Sequence, residues 1–252
     1  MTNHRIGLIV PSSNTTMETE LPELFRWRSE TTGERFTWHS ARAQMKRVTA
    51  EELDRMVQAS DGAAQSLADA PIDAIAYACL VAVMCRGLGA HRAVEAQLER
   101  ALQDAPRQPP IVSSAGALID TLGQLAVKRV ALVTPYMRPL ADQVADYIRS
   151  EGFDVSETVA LEVADNVSVG QLDPEGLVEI ASSLTLDGID AIVLSACVQM
   201  PSLPVVQRVE DLLGVPVVTA ATATARSLLL ALGLAPEIPN GGAALAAAHG
   251  TV

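Results

Sequence analysis

Two cysteines close two nearly identical segments of this chain. IDAIAYAC at 72–79 ends on Cys79, and IDAIVLSAC at 189–197 ends on Cys197. A thiol acts as a nucleophile or a proton carrier through its thiolate, and a free cysteine has a pKa of about 8.5. At a strand end facing the N-terminus of the next helix, the helix dipole and backbone N–H groups lower that value. The same N–H groups hold a carboxylate without an arginine. Two thiols so placed predict a nucleophile or a proton carrier on each side of one site. A cysteine taken singly is more often a small buried hydrophobe. Recurrence at matched places favours function for this pair. Cys85, in VAVMCRG, has no counterpart in the other copy and reads as core.

The elements that must position these thiols follow from the pattern around them. Short apolar, β-branched runs alternate with longer amphipathic segments, the signature of βα units and parallel sheets. Strands are predicted at 5–10, 35–41, 72–78, 110–114, 129–134, 155–162, 189–196 and 215–219. One helix begins at Thr49, with Glu52 at capping-box spacing, and another at Asp173 with Pro174 at the first helical position. Further helices cover roughly 90–104, 137–151, 204–213 and 221–233. The Ala- and Gly-rich tail from Ala235 is expected to be poorly ordered beyond its first residues.

The repeat extends beyond the cysteines. RIGLIVP at 5–11 matches RVALVTP at 129–135, and PIVSSA at 110–115 matches PVVTAA at 216–221, in the same order along the chain. The expected architecture is α/β, with two pseudo-symmetric Rossmann-like βα halves, each holding a parallel sheet. They span 1–115 and 116–220, with 221–252 packing on the first. Ligands of parallel sheets gather outside the carboxyl ends of the strands. That places the active site in the cleft between the halves, with a cysteine approaching from each side. Pro11-Ser12-Ser13-Asn14 and Pro135-Tyr136-Met137 end the first strand of each copy, and Ser113-Ser114 and Thr219 end the fourth.

Charge and composition restrict the partners. The chain has 252 residues and a net charge of −12, with 49% apolar and 19% charged residues. This profile belongs to a folded globule and argues against nucleic acid or an anionic membrane as partner. An anionic substrate must then be held by placed dipoles against the overall field. No secretory signal or membrane-length apolar run is apparent, and three cysteines without CxxC spacing fit neither a disulfide framework nor a zinc site. A cytoplasmic location with reduced thiols is expected. His4, His39, His91 and His249 read as surface residues, which disfavours a Cys-His hydrolase. No nucleotide-binding glycine motif or metal-ligand spacing occurs, so no cofactor and no metal are expected. Asn14 reads equally well as a helix N-cap, Tyr136 as cover for the sheet edge, and Asn166 as a turn former.

Duplicated halves with one cysteine each resemble the aspartate/glutamate racemase superfamily, over the chain to about residue 233. Within it, PSSNTTMETE, YACLVAVM, VTPYMRPLAD, ADNVSVGQLDP and SACVQMPSL resemble the maleate cis–trans isomerases. The resemblance implies catalysis by Cys79 and Cys197, with Asn14, Tyr136 and Asn166 holding a small dicarboxylate. Ser13, Leu80, Val81 and Val198 complete the implied substrate shell. It also implies a homo-oligomer, either a dimer or a dimer of dimers. One departure is informative. Racemases of the superfamily place Asn-Thr and Thr-His after the two cysteines, whereas Leu80-Val81 and Val198-Gln199 stand here, leaving no group for an ammonium. The alternatives are a racemase using the thiols as acid and base, and an arylmalonate-type decarboxylase, which keeps only the second thiol. A third is a non-catalytic dicarboxylate sensor.

Overall fold

The chain forms two four-stranded sheets, every strand pair parallel. The computed structural model describes residues 2–247. The first sheet holds β1 (Asn3–Pro11), β2 (Arg35–Ala43), β3 (Ala74–Tyr77) and β4 (Ile111–Ser113), in the order β2-β1-β3-β4. The second holds β5 (Arg129–Thr134), β6 (Asp154–Ala160), β7 (Ala191–Ser195) and β8 (Val217–Thr219), in the order β6-β5-β7-β8. The two orders are identical, so the sequence repeat is a structural one. The aspartates of the repeated Ile-Asp-Ala-Ile explain part of it. Asp73 accepts from the Arg5 N–H at 2.8 Å, and Asp190 from the Arg129 N–H at 2.8 Å, each fastening the first strand of its half to the third.

The central strands are buried from end to end, from Ile6 to Pro11, Ala74 to Tyr77, Val130 to Thr134 and Ala191 to Ser195. Such runs form when helices cover both faces of a parallel sheet. The outer strand β2 alternates instead between half-buried and exposed residues along most of its length. At Gly7, a Cβ would stand 3.0 Å from Ile75 Cγ1 and 3.1 Å from Leu67 Cδ1, so the bare backbone lets the helix layer close onto β1.

The connecting helices are α1 (Met17–Thr32), α2 (Ala50–Ala68), α3 (Leu80–Met84), α4 (Ala90–Ala101), α5 (Ser114–Gln124), α6 (Arg138–Ser150), α7 (Asn166–Val169), α8 (Glu175–Ser183), α9 (Val206–Leu213) and α10 (Ala220–Ala231). The capping box expected at Thr49 is half made. Its side chain accepts from the Glu52 N–H, while the Glu52 carboxylate turns to the N–H groups of Lys46 and Arg47. α8 starts one residue later than expected, with Pro174 as its cap.

α5 and α10 occupy equivalent places in the two halves and pack on each other, with Thr224 Oγ1 donating to Ser114 Oγ at 2.9 Å. α10 also packs against α1, β3 and β4. Two expectations are corrected. The tail does not loosen after Ala235: Ile238, Ala244 and Leu245 are buried, and Arg28 donates to the carbonyls of Ala235 and Glu237. His91 is buried rather than on the surface. Its ring meets Tyr147 of α6, and the neighbouring Arg92 makes a paired bridge to Glu151, joining the halves. Residues 248–252, with His249 and the end of the tail, lie outside the described residues.

Candidate active site

β1 and β3 are neighbours, yet their connections leave in opposite directions, and β5 and β7 repeat the arrangement. A crevice opens at such a switch point, at the carboxyl ends of the strands. Pairing continues one residue past each third strand, as the Ala78 N–H donates to Ile9 O at 2.8 Å and the Ala196 N–H to Val133 O at 3.1 Å. Cys79 and Cys197 therefore follow immediately after the last ladder bond of their sheets. Ser13 and Asn14 follow β1 beside the first thiol, and Tyr136 follows β5 beside the second.

Each thiol is met by backbone donors. Cys79 is the cap residue of α3, with the Ala82 N–H near its sulphur but no side-chain capping bond. The Cys197 sulphur accepts from the Gln199 N–H at 3.3 Å, and the Met200 N–H and the Tyr136 hydroxyl lie near enough to favour its charged form. The two thiols also sense each other, since a negative charge on Cys197 opposes one on Cys79. The expected lowering of the thiol pKa values is nevertheless overturned. Both side chains are buried, at 1% and 4% exposure. Burial outweighs the donors, pushing Cys79 up to about 12 and Cys197 above its ordinary value. An isolated charge in an apolar cavity costs more than a few N–H dipoles return. Burial likewise keeps the Tyr136 phenol protonated, a hydrogen-bond donor at neutral pH. Cys85 is half-buried at the rim of the core, on a surface hollow of about 270 Å³.

The polar residues named from sequence lock the halves together over the thiols. Asn14 accepts from the Met17 N–H at 3.1 Å, opening α1, and donates from Nδ2 to Val198 O at 2.9 Å. It thus serves as helix cap and cross-half tie at once. Asn166, the first residue of α7, donates to Ser13 Oγ at 2.7 Å, and Ser13 donates in turn to Met45 O at 2.7 Å. Each amide NH₂ retains a second hydrogen for a ligand. Leu80 and Val81 open the helical turn after Cys79, and both are buried. The structure thus joins Asn14 to Val198 and Ser13 to Asn166 across the halves, and sets Tyr136 and the two thiols near one another.

Sequence reasoning missed three others in the same contact. Gln199 donates to Ser13 O at 3.0 Å and Asn166 O at 3.2 Å, and accepts from the Thr15 N–H at 3.2 Å. Thr16 Oγ1 donates to Gln199 O at 2.8 Å. Glu20 accepts from the N–H groups of Ser202 and Leu203 at 2.6 and 2.7 Å, and burial pushes its carboxyl up to about 7. The available signal for Gln199 was its place two residues after Cys197, in a segment read only for what it lacked.

The duplicated fold with one thiol per half defines an enzyme of the aspartate/glutamate racemase-like class. The chain matches a family model described as arylmalonate decarboxylase over residues 6–245. A protein from Alcaligenes faecalis named maleate isomerase is 51% identical over 243 residues, 96% of each chain. The crystal structure of a cysteine-to-alanine form of the maleate isomerase Iso from Pseudomonas putida S16 with maleate superposes at a TM-score of 0.96. The two are 49% identical over 98% of this chain and 99% of that one. A cysteine-to-serine mutant of the Nocardia farcinica maleate cis–trans isomerase, carrying a covalently bound succinylcysteine intermediate, gives 0.93. Its identity is 46% over 96% and 98% of the two chains. The chain belongs to the maleate isomerase family and is an isomerase.

Proposed function

We propose that this enzyme converts maleate to fumarate by covalent addition of a cysteine. The observation that carries the proposal is the pair of buried thiols at matched strand ends, close enough that a charge on one opposes a charge on the other. The Cys79 thiol yields its proton to solvent water, to be taken back when the sulphur is released. The sulphur adds to C2 of the double bond while the π pair moves to C3, held as an enediolate by the adjoining carboxylate. C2–C3 is then a single bond and rotates. The pair returns to re-form the double bond in the trans geometry, the C–S bond breaks, and fumarate leaves. A barred rotation is replaced by two accessible steps. No cofactor is required, because the thiol and the substrate carboxylate handle the electrons between them.

Cys197 accepts from the Gln199 N–H at 3.3 Å and lies near the Met200 N–H and the Tyr136 hydroxyl, whereas Cys79 lies near the Ala82 N–H and makes no side-chain capping bond. The less solvated sulphur is the freer nucleophile, and the more solvated one is suited to carrying charge or a proton. Cys197 accordingly stabilises or protonates C3 and recovers the proton on elimination. Asn14, Asn166, Ser13, Tyr136 and the backbone at Leu80, Val81 and Val198 hold the two carboxylates with donors placed for the developing charge. The succinylcysteine captured in the Nocardia farcinica relative supports the adduct, and the maleate held by the Pseudomonas putida S16 relative supports the substrate. We assign the halves to 1–115 and 116–220, with the chain from 221 packing on the first, as the contacts of α10 with α1, β3 and β4 support. A cytoplasmic homo-oligomer completes the proposal. It is supported by three free thiols and by the open edge of β2, which lies beside a groove of about 600 Å³ lined by Phe25, Phe36 and Trp38. No helix among the described residues is long and apolar enough to cross a membrane.

The test is incubation with maleate followed by proton NMR. Fumarate appearing without added cofactor is expected; unchanged maleate overturns the proposal.

A further inference from the structure

Gln199 is a neutral side chain at 3% exposure with every polar group engaged. Its Nε2 donates one hydrogen to Ser13 O and the other to Asn166 O, and its Oε1 accepts from the Thr15 N–H. A flipped amide would set Oε1 against two carbonyl oxygens, so the network fixes its orientation. Its main chain faces the other way, with its carbonyl tied to Thr16 Oγ1 and its N–H on the Cys197 sulphur at 3.3 Å. Gly170 gives independent support for a seat shaped to this amide. A Cβ on Gly170 would fall 2.5 Å from Gln199 Nε2, although its backbone is ordinary helix at φ −69° and has no need of glycine.

We propose that Gln199 is a positioning residue whose amide fixes the Ser13 and Asn166 segments while its own N–H is held on the Cys197 sulphur. The shell that receives the substrate and the thiol that handles its charge are then set by one side chain. Loosening the amide displaces the Asn166 donor and, in the same movement, weakens the hydrogen bond that favours the Cys197 thiolate. The other groups acting on this thiol are Tyr136, Cys79, Glu20 and the Met200 N–H, and none of them bridges to the Ser13 and Asn166 segments as Gln199 does.

The inference rests on the proposed isomerase activity only for its kinetic readout, and its decisive readout needs no substrate. The rate of iodoacetamide alkylation at Cys197 is followed across pH by peptide mass spectrometry in the wild type, Gln199→Leu and Gly170→Ala. Gln199→Leu removes all three side-chain bonds. Gly170→Ala crowds the seat from α7 and replaces no residue of 197–200, so it answers the question even if Gln199→Leu fails to fold. In each folded variant the alkylation profile should move to higher pH. Near neutrality Cys197 then reacts about tenfold more slowly for every whole pH step the profile moves. With maleate, kcat should fall and KM rise together. An alkylation profile at Cys197 that matches the wild type in Gly170→Ala, or in folded Gln199→Leu, overturns the proposal. If the wild type does not turn over maleate, the assigned substrate fails while the alkylation result still decides the role of Gln199.

Discussion

Cys79 and Cys197 hold equivalent places, but their surroundings differ. One sulphur lies near the Ala82 N–H and makes no side-chain capping bond; the other accepts from the Gln199 N–H and lies near the Met200 N–H and a phenol kept protonated by burial. Both are neutral at pH 7 in the free enzyme, so the proton must leave as the sulphur adds, and turnover limited by that loss rises with pH. Cys79→Ala and Cys197→Ala should each abolish turnover and leave the circular dichroism spectrum intact. Cys85→Ala should retain activity and cost about 1 kcal/mol in urea denaturation, the scale of a small, partly buried group. Near-normal turnover in Cys197→Ala would exclude the two-thiol scheme. At this scale the sequence was informative about identity and misleading about acidity. Repetition picked out the cysteines, but whether helix dipoles or burial prevails depends on how completely the other half covers them. Gln199 escaped because its partners lie 13 to 15 residues from the N-terminus and at Asn166, and no local pattern joins them.

At the scale of elements, the start of α1 and the segment after Cys197 form one clasp between the halves. Asn14, Thr16 and Glu20 of the first half hold Val198, Gln199, Ser202 and Leu203 of the second. Glu20 takes its proton more readily in the folded chain, at about 7 against an ordinary 4.5. Folding is therefore favoured by this group below about pH 4.5, and the advantage is lost as pH rises from there to about 7. A difference of this size carries on the order of 3 kcal/mol. Glu20→Gln removes the titration, so wild-type stability relative to the variant should decline from pH 5 to pH 7 in urea titrations. Parallel curves would show that Glu20 does not ionise within this range. The inner strands were legible because unbroken apolar runs need no partner to be recognised, and the outer strands β2 and β6 because β-branched and aromatic residues alternate with polar ones along them. α3 and α5 were not, since five residues after Cys79 carry too little periodicity, and the Ser113-Ser114 pair reads as a strand end until its hydroxyl caps Gly116. The tail misled because Ala and Gly suit disorder as well as they suit close packing over Val206 and Val217, where Gly242 sits.

For the whole molecule, duplication accounts for most of the design. Each half contributes a switch point and a thiol. A net charge of −12 does not help to gather a dianion, so the proposed maleate would have to be held by neutral dipoles. The central claim is that a bond from Cys79 to carbon persists while the substrate rotates. The measurement that meets it most directly is rapid acid quench of the enzyme with maleate, repeated in Cys197→Ala, with peptide mass spectrometry. A gain of one diacid on the peptide carrying Cys79 is predicted, while aspartate and glutamate leave that peptide unmodified and keep their α-hydrogen in deuterated water. An adduct on the Cys197 peptide would reverse the two roles. The absence of any adduct, together with deuterium entering an amino acid, would contradict the account.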